Sequence, residues 1–200
     1  MLQKDPNHPV TLHLLGVINH QLGKNEAAAD LIGKALELAP DMTAAHFNLA
    51  LVLTTLGRLD EAISSYRGTL ALKPDYAAAH NNLGLVFRDL GRIDEAMASF
   101  HKALVIMPKY AEAHANLGLA LQDLGKAEEA VASYRKALDL QPGYARIYSN
   151  LGASLQSLGR VDEAMASYHK ALELQPDLAE AHNNLGNALQ DHGDLEEAII

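Results

Sequence analysis

The 200-residue chain has no cysteine and no tryptophan. Without thiols there is no disulfide and no thiolate chemistry, which suits a cytoplasmic protein. A basic excess is missing too: 16 Lys and Arg stand against 25 Asp and Glu, for a formal net charge of -9. A phosphate-backbone partner calls for a clustered cationic face, and the cations here are scattered among carboxylates, so no nucleic acid is expected. No apolar run reaches membrane-spanning length, and Met1-Leu2-Gln3-Lys4-Asp5-Pro6 has no signal-peptide core, so no membrane partner is expected either. The chain also lacks a Gly-rich phosphate loop, a nucleophile elbow and a His-Glu-x-x-His motif. Its carboxylate pairs, Glu128-Glu129 and Glu196-Glu197, stand where the positive end of a helix dipole accounts for them. The expectation is a chain with no enzyme activity of its own, no cofactor and no metal.

Hydrophobic residues make up 48% of the chain and aromatics only 5%; the excess is mostly Ala and Leu, which are helix formers, so the fold class is all-α. The phrase Ala79-His80-Asn81-Asn82-Leu83-Gly84 recurs as Ala113-His114-Ala115-Asn116-Leu117-Gly118 and Ala181-His182-Asn183-Asn184-Leu185-Gly186, at multiples of 34 residues. The chain is therefore a tandem repeat, and its function has to be sought on a periodic surface. Pro6, Pro40, Pro74, Pro108, Pro142 and Pro176 keep the same period and each ends a helix. Gly23, Gly57, Gly91, Gly125, Gly159 and Gly193 form a second column, fit for the left-handed residue just past a helix C-terminus. Two breakers per period predict two helices per repeat. In the third unit these are Tyr76 to Leu90 and Glu95 to Ile106. Asp41, Asp75 and Asp177 are expected to cap the first helices, with Asp60, Asp94 and Asp162 standing before the second. Gly143 replaces the capping Asp of the fifth unit and marks its first helix as the weakest-started. His80, Leu83, Gly84, Phe87 and Leu90 share one face of the first helix; Ala96, Met97, Phe100, Ala103 and Leu104 share one face of the second. Small residues at Gly84, Ala96 and Ala103 let the pair approach closely.

The spacing of Leu83-Gly84, Phe87, Ala96, Phe100, Ala103 and Pro108 resembles the tetratricopeptide repeat over essentially the whole chain. Where that family prefers tryptophan, this chain has Leu12, His46, His80, His114, Tyr148 and His182. The resemblance implies a right-handed α-solenoid of helix-turn-helix repeats whose first helices line a concave groove for a peptide or protein partner. Read this way the chain is a single superhelix of about six units, 7–40, 41–74, 75–108, 109–142, 143–176 and an incomplete 177–200. Met1 to Asp5 resemble the tail of an earlier second helix, and the chain stops shortly after Glu196 inside another. The expectation is a piece of a longer protein, whose uncapped ends could self-associate.

Asn48, Asn82, Asn116, Asn150 and Asn184 occupy one column, turned away from the core stripe toward the groove. First helices about 10 Å apart present one amide about every three residues of an extended peptide rising about 3.3 Å per residue. Each amide can donate to a backbone carbonyl and accept from a backbone N–H, so the column is the candidate peptide-binding site. The alternative is that duplication copied the asparagines, or that they bond neighbouring helices. The ladder resembles the one lining the superhelix of O-linked N-acetylglucosamine transferases, which implies a substrate-recruiting arm of a larger glycosyltransferase as an alternative to a plain scaffold. Arg88, Asp89, Glu112, Asp123, Arg146, Glu180, Asn187 and Asp191 vary beside the asparagines and are the candidates for specificity, with Leu51, Leu85 and Leu119 as an apolar strip. The positions four before each asparagine are Ala44, Ala78, Glu112, Arg146 and Glu180, so the transferases' groove aspartates have no counterpart and their substrate preference does not carry over. The histidine column cannot share one metal ion, because neighbours about 10 Å apart exceed zinc–nitrogen bonds of about 2.1 Å. It is read as core-edge packing, with loss of stability on protonation as a milder expectation.

Overall fold

The computed structural model describes residues 8–193. Within them the regular elements are helices: α1 (Pro9–Gln21), α2 (Asn25–Leu38), α3 (Thr43–Thr55), α4 (Leu59–Leu72), α5 (Ala77–Asp89), α6 (Ile93–Ile106), α7 (Ala111–Asp123), α8 (Ala127–Leu140), α9 (Ala145–Ser157), α10 (Val161–Leu174) and α11 (Ala179–His192). Odd numbers are the first helices of the repeats and even numbers the second, so the fold is the expected helix-turn-helix repeat solenoid. The segments before residue 8 and after residue 193, where Met1–Asp5 and Glu196–Ile200 were expected to form parts of second helices, lie outside the described residues. The chain forms two compact units, Met1–Arg92 with α1 to α5 and Ile93–Ile200 with α6 to α11.

Both breaker columns act as expected. Gly57, at φ 72°, gives its N–H to the Thr54 carbonyl at 3.0 Å, and the next N–H, of Arg58, reaches back to Leu53 at 2.9 Å. That pair of bonds ends α3 and starts α4 with a single residue between the turn and the new helix. At the other end of the hairpins the residue before proline leaves helical geometry, as at Ala39 (φ -143°, ψ 83°) and Lys73 (φ -139°, ψ 86°), because the proline ring disfavours the helical region there.

The helix starts differ from the expectation. The N-cap positions of α3, α5 and α11 are Met42, Tyr76 and Leu178, one residue after Asp41, Asp75 and Asp177, and none makes a side-chain cap bond. The turn is closed by backbone instead: Thr43 N–H donates to the Asp41 carbonyl at 3.0 Å, and Ala145 N–H does the same to Gly143 at 3.1 Å. A glycine serves that bond as well as an aspartate, so α9 loses no cap at Gly143 and runs over the same 13 residues as α7. Asp60 and Asp162 lie inside the first turns of α4 and α10, where the helix dipole favours a negative charge. Arg58 and Arg160, at the cap positions, pair with Glu61 and Glu163 at 2.7 Å.

The core follows the small-residue columns. Ala28, Ile32, Ala45 and Val52 pack together between α2 and α3, with Leu49 and Leu56 against them. In the second unit a Cβ at Gly118 would stand 2.6 Å from the Tyr134 ring, and one at Gly152 would stand 2.5 Å from the Tyr168 ring. A tyrosine ring therefore lies directly against the first-helix backbone in these hairpins, which is the close approach the repeat pattern requires. His80, Leu83, Gly84 and Phe87 are buried as expected, whereas Leu90, at the end of the same stripe, is 38% exposed because α5 has given way to the turn there.

Candidate functional site

Within each unit the first helices of successive repeats touch, α1 with α3, α7 with α9 and α9 with α11. Second helices pack mainly on the first helices beside them. The first helices thus form the closely spaced layer, and the asparagine column lies along it. Asn48, Asn82, Asn150 and Asn184 are half-buried and Asn116 is buried. In the first unit the column bonds between helices. Asn48 Nδ2 donates to His13 Nε2 at 2.8 Å, tying α3 to α1. Asn82 hydrogen-bonds the Tyr66 hydroxyl, which also engages Thr54, so one phenol on α4 joins α3 and α5. A primary amide carries two donors and two acceptor sites, so one bond to a neighbouring helix leaves it capacity for a second partner.

The tyrosines are functional groups that periodicity alone did not pick out. Tyr134 donates to Gln122 Oε1 at 2.8 Å and Tyr168 to Gln156 Oε1 at 3.0 Å, each partner lying 12 residues earlier on the first helix of the same hairpin. Their rings are fully buried while the hydroxyls reach the polar seam. Burial raises the Tyr66 phenol above its ordinary value, against which its hydrogen bonds to Thr54 and Asn82 act. Burial first, and the Glu180 carboxylate second, push Tyr168 up to about 12. The signal was present in the chain: a buried tyrosine, unlike a phenylalanine, needs a hydrogen-bond partner.

Of the specificity candidates, Asp89, Glu112, Asp123, Arg146, Glu180 and Asn187 are exposed, and Arg88 is half-buried on α5. Asp191 lies in the last turn of α11. The first unit holds Asn48, Asn82, Arg88 and Asp89; the second brings together the remainder on α7, α9 and α11. Leu51, Leu85 and Leu119 are half-buried on the same helices.

The histidines do more than pack. His46, His80, His114 and His182 each place Nε2 2.8 to 3.0 Å from the carbonyl oxygen of the proline six residues earlier, Pro40, Pro74, Pro108 and Pro176. A carbonyl only accepts, so Nε2 carries the proton. The bond pins each first helix to the end of the preceding repeat. Tyr148 instead packs with Leu172 against Ala171, Leu178 and Ala181. Among the described residues no three His, Cys, Asp or Glu side chains lie together as a metal site, and no helix is long and apolar enough to cross a membrane.

Family models described as tetratricopeptide repeat match residues 20–77 and, in three successive TPR segments, residues 84–125, 122–159 and 155–193. Among solved structures, a thermophilic TPR protein of Thermus thermophilus is 30% identical over 91% of this chain and 99% of that chain, with a TM-score of 0.67. PilW, a widely conserved type IV pilus biogenesis factor, is 25% identical over 96% of this chain and 89% of that one, with a TM-score of 0.84. YrrB, described as a TPR protein with an unusual peptide-binding site, is 20% identical over 91% and 94% of the two chains, with a TM-score of 0.75, a likeness of fold alone. No curated protein sequence gives a significant match.

Proposed function

Because the chain belongs to the tetratricopeptide repeat family, we propose that it is a protein-interaction scaffold that holds an extended segment of a partner along its layer of first helices, with no chemistry of its own. The observation that carries this reading is the run of Asn116, Asn150 and Asn184 on the touching helices α7, α9 and α11, bordered by exposed charges that differ from repeat to repeat. Amides at that spacing suit a peptide backbone, which gives affinity without reading side chains, and the variable charges add selection. The fold relative YrrB, with its peptide-binding site, lends support by analogy.

The test is selection of binders from a random dodecapeptide library, followed by fluorescence polarisation with the wild type and with a triple variant, Asn116→Ala, Asn150→Ala and Asn184→Ala. An affinity at least ten-fold weaker, with far-UV circular dichroism unchanged, is expected; unchanged affinity refutes the role of the amides. The asparagine column also favours a second reading, in which these repeats recruit substrate for a larger O-linked glycosyltransferase. A continuous open reading frame running into a nucleotide-sugar-binding α/β region is the observation that reading requires. The exposed apolar side chains of α1, Leu14, Leu15 and Ile18, with Leu22 just past its end, favour a third, self-association through a repeat end. Light scattering across a concentration series tests it.

A further inference from the structure

The fifth repeat departs from its neighbours in one short stretch, Gly143-Tyr144-Ala145-Arg146-Ile147, at the entry to α9. Where the fourth and sixth repeats have Lys109 and Asp177 there is Gly143, and a Cβ built on it would meet nothing within 4 Å. Where the neighbours have Ala113 and Ala181 there is Ile147, 8% exposed. In this stretch lies a recess of about 400 Å³ between the start of α9 and the end of α10, lined by the apolar Tyr144, Ile147 and Leu174 together with Arg146. Leu174 is 41% exposed, so the recess presents apolar surface to solvent.

Arg146 is exposed and forms no hydrogen bond or ion pair among the described residues. Its column is otherwise acidic in this unit: Glu112 stands at the same place on α7 and Glu180 on α11, both exposed. Burial first, and the carboxylate of Glu112 second, hold the Tyr110 phenol above its ordinary value, and Glu180 acts likewise on Tyr168. Three touching helices therefore carry an acid, a base and an acid in turn. A guanidinium with open donors takes a carboxylate in a two-pronged pair, and an apolar recess beside it takes a hydrocarbon side chain. First helices about 10 Å apart correspond to about three residues of a polyproline II segment, which rises about 3.1 Å per residue and returns to the same face every third residue.

We propose that the Arg146 recess is the specificity-setting subsite of the second unit, taking an acidic residue with an apolar neighbour from an extended partner segment that carries basic residues three positions to either side. The proposal rests on the groove-binding reading above and names its partner chemistry. The flanking Glu112 and Glu180 repel an acidic segment as a whole, so the site selects an alternating charge pattern over net charge of either sign.

Three fluorescein-labelled nine-residue peptides test it by fluorescence polarisation: one with a central Glu followed by Leu and a Lys three residues to either side, its charge-inverted counterpart, and a neutral version with Gln at all three sites. The first is expected to bind at least ten-fold tighter than the other two. Arg146→Glu is expected to remove the first peptide's advantage over the neutral one, because its central Glu is then repelled while its flanking Lys residues still meet Glu112 and Glu180, and Gly143→Asp, which places a carboxylate at the recess as Asp177 does in the sixth repeat, to weaken the first peptide without affecting the neutral one. Equal binding of all three peptides overturns the charge reading and leaves the groove standing. Failure of all three to bind up to millimolar concentration, while library-selected peptides bind through the asparagines, overturns the subsite alone; failure of both peptide sets overturns the groove as well.

Discussion

Ser154 is the sharpest test of how the repeats stack. It is 1% exposed on α9, and its hydroxyl oxygen has no hydrogen-bond partner among the described residues. The same column holds Val52, Val86, Ala120 and Ala188, each at 0% exposure, so the repeat treats this as an apolar stacking position. A buried hydroxyl without a partner costs about 1–3 kcal/mol in lost hydration. Ser154→Ala removes that cost and leaves a void of one oxygen, worth about 0.3 kcal/mol at about 24 cal/mol per Å³. The substitution is thus expected to stabilise by about 1 kcal/mol or slightly more, a rise in Tm of about 2–4 °C for a chain of this size. Because repeat arrays need not unfold in one step, the assay pairs urea denaturation followed by circular dichroism with amide hydrogen exchange. The exchange of α8 and α9 amides should slow about five-fold, as 1 kcal/mol requires, with α11 less affected. A lower urea midpoint, or unchanged exchange in α9, refutes the reasoning, since either means the hydroxyl is satisfied and its removal costs a bond.

Gly152→Ala places a methyl group 2.5 Å from the Tyr168 ring and should destabilise by about 1–3 kcal/mol; Ala50, fully buried at this column of the second repeat, which also carries a buried Tyr66, points to the lower end, and a Tm equal to wild type refutes the close contact. Burial holds the His13 imidazole below its ordinary value, so the folded chain binds fewer protons there than the unfolded one. Stability is then full above the unfolded value of about 6.5 and falls as pH drops from there through the depressed folded value. His13→Phe, the counterpart of Phe47 in the next repeat, should flatten the Tm profile below pH 7; an unchanged slope assigns the acid sensitivity to other groups.

The repeat period, the two breaker columns and the buried stripes were legible because each rests on a residue's own backbone limits or on helical spacing. Gly57 and Pro40 act wherever they stand, whatever surrounds them. The misplacement of the caps has the same root: Asp41 looks like a cap by composition, yet the turn closes on its carbonyl, a group every residue has, so Gly143 substitutes without loss. The partner of a polar side chain is harder to read, because it depends on which side chain another helix brings to the same point. Asn48 and Asn82 occupy one column, but one meets His13 on an earlier first helix and the other meets Tyr66 on a second helix.

Part of that was nonetheless written in the chain. Tyr66, Tyr134 and Tyr168 share a column with Ile32 and Phe100, and the residues 12 positions before them are Thr54, Gln122, Gln156, His20 and Arg88 in the same order. Threonine or glutamine stands wherever the column bears a tyrosine, and His20 or Arg88 stands where it holds Ile32 or Phe100. Copies of one unit within a single sequence therefore act as their own set of variants: a pair of columns that changes together reports a contact. By that measure the polar seam is a built feature of the array. Asn48 and Asn82 join neighbouring helices through it, so in the first unit part of the asparagine column works in holding the array together.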